Sequence, residues 1–129
     1  MILLTDERIK SFKGLEESSL FMSILFLLNQ EFGLKLNPAK IDIYYTQVKA
    51  KYEDLTIENV FEFFNVKATL KSESVSYKLK KNEVSIVKYT DEATELSQYV
   101  IGVGNIVCYN PHGKILKGKA VESTVIKFK

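Results

Sequence analysis

Between Leu20 and Leu28 the chain is apolar except at Ser23, and a glycine follows at Gly33. Leu20, Phe21, Met22, Ile24, Leu25, Phe26, Leu27 and Leu28 point in nearly every direction around a helix. A helix over Glu17–Phe32 must therefore be buried on all sides. Gly33 supplies the left-handed residue that ends such a helix. The run is about half of the roughly 20 residues that a membrane-spanning helix needs. Its cover has to come from the same chain, and no membrane span is expected.

The rest of the sequence can supply that cover. At 129 residues the chain reads as one domain, residues 1–129, and 46% of it is apolar. The net charge of +2, with both signs mixed along the chain, predicts no nucleic-acid partner. Cys108 is the one cysteine and His112 the one histidine. A disulfide within the chain, a cysteine cluster and a multi-histidine metal site are all excluded. No metal and no cofactor are expected. Residues 1–7 show no basic segment ahead of an apolar one, so a cytoplasmic location is expected.

The first half reads as helices. Thr5-Asp6-Glu7 starts a short one that Gly14 breaks. Asn37-Pro38 is an N-cap followed by proline at the first helical position, and Ile41, Tyr44, Tyr45 and Val48 follow at helical spacing. Thr56 caps another helix, with Ile57, Val60, Phe61 and Phe64 on one face and Phe63 off it, free for an interaction patch. The second half reads as strands over Lys67–Lys71, Glu83–Thr90, Tyr99–Val103, Ile106–Tyr109 and Thr124–Phe128. Ser74–Lys81 fits either a helical turn or a strand. Gly104-Asn105 is a two-residue hairpin turn, and Asn110-Pro111-His112-Gly113 is a second turn. Helices first and antiparallel strands second make an α+β fold.

That order resembles papain-like cysteine peptidases, in particular those that trim double-glycine bacteriocin leaders. Ser18-Ser19-Leu20-Phe21-Met22-Ser23 opens the apolar helix and Glu31-Phe32-Gly33 closes it, as in that family. Leu55-Thr56-Ile57-Glu58 and Phe64-Asn65-Val66-Lys67-Ala68 look like its middle helix and the strand after it. Glu83-Val84-Ser85-Ile86-Val87 is similar to the strand before the family's histidine. Gln98-Tyr99-Val100-Ile101-Gly102-Val103 looks like the histidine strand, and Ile106 to Gly113 resembles the Asp-Pro turn. The resemblance spans nearly the whole chain and implies a papain-like fold, N-terminal helices on a C-terminal antiparallel sheet.

The chemistry departs from the family. The nucleophile position falls on Ser19, or on Leu20 if the helix is aligned strictly back from Gly33. Gln98 takes the histidine position and Asn110 the aspartate position. No glutamine stands in Phe12–Ser18 for the oxyanion hole. A serine hydroxyl needs a base beside it, and an amide does not take up a proton near neutral pH. A missing oxyanion donor alone costs about 3 kcal/mol. The resemblance thus implies a peptidase-like domain with no catalytic residue. In it Ser19, Gln98, Tyr99 and Asn110 line a cleft for a peptide or protein partner, such as a transporter or secretion component.

Two other readings stand beside it: a residual hydrolase using Ser19 or Cys108, and an assembly subunit that only reuses the fold. The simpler readings make Ser18 and Ser19 helix caps, Cys108 a small buried apolar residue, His112 an exposed turn residue and Gln98 a polar strand end. Lys78-Leu79-Lys80-Lys81 reads as a solvated face or, more sharply, as a weak site for an acidic partner.

Overall fold

The computed structural model describes residues 12–113 and 116–129. Three helices come first: α1 (Gly14–Phe32), α2 (Pro38–Lys51) and α3 (Ile57–Phe63). Five strands follow: β1 (Ala68–Glu73), β2 (Val84–Asp91), β3 (Leu96–Val103), β4 (Ile106–Tyr109) and β5 (Lys119–Phe128). The α+β expectation holds. The short helix expected after Thr5 lies outside the described residues.

Local chemistry explains where the helices begin and end. Gly33 ends α1 in the left-handed region, and its N–H donates to the Asn29 carbonyl at 2.9 Å. The Asn37 side chain accepts from the Lys40 N–H at 2.9 Å, with Pro38 opening α2. The Thr56 hydroxyl accepts from the Asn59 N–H at 3.1 Å and opens α3. The start of α1 differs from the sequence reading. It begins at Gly14, and no side chain caps it. Ser18 and Ser19 are therefore not caps. They lie a turn inside the helix, and their hydroxyls donate back to the carbonyls of Leu15 and Glu16.

All strand pairs are antiparallel, in the order β1-β5-β2-β3-β4. The last strand thus enters the middle of the sheet, between the first two. Register gives the sheet two distinct faces. Ile86 lies opposite Ile101, and Leu70 and Val84 both lie opposite Ile126. These side chains meet the buried face of α1 through Phe21, Ile24, Leu25 and Leu28. Burying each such side chain stabilises the fold by about 1.5–3 kcal/mol. Ser85, Val87, Tyr89, Gln98, Val100 and Gly102 alternate with them and take the other face.

Three further expectations change. Phe63 is half-buried and meets Phe64 edge-on, with ring centres 5.1 Å apart, so it forms no exposed patch. Cys108 is exposed, because β4 is an edge strand and only one side of it is covered. Residues 74–83 form neither helix nor strand. They are an ordered loop, tied by the Tyr77 hydroxyl donating to Glu83 at 3.0 Å and by the Lys80 N–H donating to the same carboxylate oxygen at 2.7 Å.

Candidate functional site

The first turns of α1 are fixed to the sheet by two serines. The Ser19 hydroxyl accepts from the Tyr99 N–H at 2.9 Å and donates to the Glu16 carbonyl at 3.1 Å. One helical turn on, the Ser23 hydroxyl donates to the Tyr99 carbonyl at 3.4 Å. Spacing of four residues puts both hydroxyls on one helix face. Tyr99 lies two residues beyond the last β3–β4 pair, Ile101↔Tyr109. Past that point the helix serines take the place of a strand partner for its N–H and C=O. Leaving those groups buried and unpaired would cost about 1–3 kcal/mol each.

Charge holds the same turns from two sides. Lys88 of β2 pairs with Glu16 at 2.6 Å and lies over the Tyr99 ring. That Glu16 carboxylate raises the Lys88 pKa. Glu17 pairs with Lys49 of α2 at 2.9 Å and accepts from the Tyr45 hydroxyl. Burial, and then Glu17, push the Tyr45 phenol up to about 12.

The four residues expected to line one cleft are divided. Ser19 is 0% exposed, and its proton and its acceptor site are both engaged inside the protein. Tyr99 meets it through the backbone, while its ring packs on the core. Gln98 points to the opposite sheet face from Tyr99, as neighbouring strand residues must. Gln98 lines a cleft of about 240 Å³ with Leu15, Asp91, Thr94, Leu96, His112 and Lys117. Asn110 does not line that cleft, contrary to expectation, but it holds the turn that carries His112. Its side-chain oxygen accepts from the His112 N–H at 3.2 Å, and its carbonyl accepts from the Gly113 N–H at 3.0 Å. This turn sets His112 near Gln98. His112 is thus half-buried in a cleft wall, not an exposed turn residue.

Sequence reasoning missed that neighbourhood because Gln98 and His112 belong to different elements. The signal was the Asn-Pro turn, whose side-chain bond to the residue two on is an ordinary use of asparagine.

The cleft combines an amide, an imidazole, a carboxylate, an ammonium and two leucines. Such a lining can hydrogen-bond a peptide and cover an apolar side chain. Neither Ser19 nor Cys108 lines it, so neither serine nor thiol attack can start from there. Desolvation raises the Cys108 pKa, which keeps it in the poorly nucleophilic thiol form. Among the described residues no group of three metal-ligating side chains occurs, and no helix is long and apolar enough to cross a membrane. No family model, curated protein or solved structure matches the chain.

Proposed function

We propose that this chain is a degenerate leader-peptidase-like domain of papain-like fold, which holds a peptide or protein partner without cutting it. The observation that carries this reading is the fate of Ser19. On the alignment proposed, Ser19 takes the nucleophile position, with Leu20 the alternative, and Ser19 is buried and hydrogen-bonded in both directions. Gln98, which the alignment puts in the histidine position, lines a mainly apolar cleft together with Leu15 of the first turn of α1. Leu15 of the helix start, Gln98 of the strand and His112 of the Asn-Pro turn line one cleft, which supports the reading. The chemistry between them has become structural. Such a domain would act in the cytoplasm, beside a transporter, secretion component or assembly that delivers its partner.

The test is binding and cleavage measured together on a labelled double-glycine leader peptide. The expected result is saturable binding with the peptide mass unchanged. Gln98→Ala with His112→Ala should weaken that binding about tenfold, the loss of roughly one to two hydrogen bonds. Cleavage abolished by a single substitution would restore an enzyme. Absence of binding to leader peptides would leave only the α+β scaffold.

A further inference from the structure

A second surface lies on the sheet face away from the helices. A groove of about 160 Å³ runs between the 74–83 loop and the β3–β4 hairpin. Its walls include Val75, Tyr77, Ile106 and Val107, each more than a third exposed, and Ile106 reaches 73%. Its floor holds Ser85 and Gly102. The Ser85 hydroxyl is fully buried and has no hydrogen-bond partner. A buried hydroxyl without a partner is costly, so its presence calls for an explanation. Gly102 keeps the space beside it clear, since a Cβ there would stand 3.2 Å from the Ser85 oxygen.

The loop that walls the groove also carries Lys78, Lys80 and Lys81, all exposed. The loop is held in place by Glu83, which accepts from Tyr77 and from the Lys80 N–H, and whose carbonyl accepts from the Gly104 N–H at 2.9 Å. The groove is therefore formed before anything binds, which lowers the entropy lost on binding. It is smaller than the roughly 300 Å³ at which small-molecule pockets begin, so it suits one or two side chains of a larger partner.

We infer that this groove docks an acidic segment of a partner protein. Apolar side chains of the segment sit on Val75, Tyr77, Ile106 and Val107, and carboxylates face the three lysines. The lysines select this occupant. A second copy of the chain placed symmetrically would bring two lysine loops together, and like charges oppose that. Nucleic acid is disfavoured because, among the described residues, Tyr77 and Tyr89 are the only aromatic faces that the groove offers to bases. The inference goes beyond the Gln98 cleft and does not depend on it.

The experiment uses the full chain and a fluorescent eight-residue peptide alternating valine and glutamate. Peptides with lysine or serine in place of glutamate, and an oligothymidine, serve as comparisons. Binding is read by anisotropy at low and high salt. The acidic peptide should bind at least about tenfold more tightly than the serine peptide, and less tightly as salt rises. The triple variant Lys78→Ser, Lys80→Ser, Lys81→Ser should lose that preference. Lys35→Ser, Lys40→Ser, Lys67→Ser, with the same loss of charge elsewhere, should keep it. Ile106→Ser should weaken the acidic peptide severalfold while leaving the fold intact by circular dichroism. Equal binding of all peptides, oligothymidine binding as tight as the acidic peptide, equal effects of the two triple variants, or a dimer blocked by Ile106→Ser would each overturn the inference.

Discussion

The two faces of the sheet are built from the same strands, and they differ in what finishes them. The inner face is closed by α1, so Ile86, Ile101 and Ile126 are almost wholly removed from water. The outer face is covered only in part, with Val100 and Gln98 buried and the margin between the loop and the hairpin left open. There Ile106 and Val107 stay exposed, and a serine is buried without a partner. The inner face is arranged for stability: apolar contacts in the middle, and Ser18, Ser19 and Ser23 of α1 all hydrogen-bonded. The outer face gives up stability at Ser85 and keeps apolar surface open. A face that tolerates both is where a partner would add most.

Truncation should separate the faces. Phe21→Ala removes a ring that is 0% exposed and should cost about 3–5 kcal/mol in chemical denaturation. Ile106→Ala on the outer face should stay within about 0.5 kcal/mol. A similar loss at both sites would mean that the outer face is covered in the isolated chain.

The serines sharpen the same contrast. Ser19→Ala leaves the Tyr99 N–H without its acceptor and should destabilise by about 1–3 kcal/mol. Ser85→Ala removes a buried hydroxyl that has no partner, so it should raise stability, by about 1 kcal/mol. Thermal melts of the two variants should therefore move in opposite directions. If Ser85→Ala lowered the melting temperature, the hydroxyl would have a partner in solution.

The smallest expected effect concerns the ties at the start of α1. The Tyr45 pKa is raised to about 12 in the fold, against 10.0 for the free side chain. Its contribution is thus complete below pH 10 and is lost as pH rises towards 12, because the unfolded chain ionises first. Absorbance of tyrosinate, compared with a Tyr45→Phe variant, should assign to Tyr45 a transition delayed to that range, and Glu17→Gln should bring it down. A transition of Tyr45 near pH 10 in the intact protein would show that the phenol is neither buried nor tied to Glu17.

Much of this fold was legible where neighbouring residues decide it. Asn37-Pro38, Thr56 and Gly33 set helix ends through bonds that span three or four residues. Gly104-Asn105 set the β3–β4 hairpin in the same way, with Val103 opposite Ile106. Cys108 was misread because an apolar strand does not announce that it lies at an edge. His112 was misread because its cleft partner, Gln98, lies on another strand. Ser19 looked like a cap, since its distant partner at Tyr99 left no local mark.

What the sequence determined by itself was the set of parts: a helix that had to be buried, capped helices after it, and strands with one apolar face. Caps, turns and periodicity act over a few residues, and that range is written in the chain. The tertiary structure decided the rest. It placed β5 between β1 and β2, joined Ser19 to a backbone group 80 residues away, and left part of one sheet face open. Those choices depend on which surfaces can be covered at the same time, a condition on the whole fold that no short stretch of residues carries.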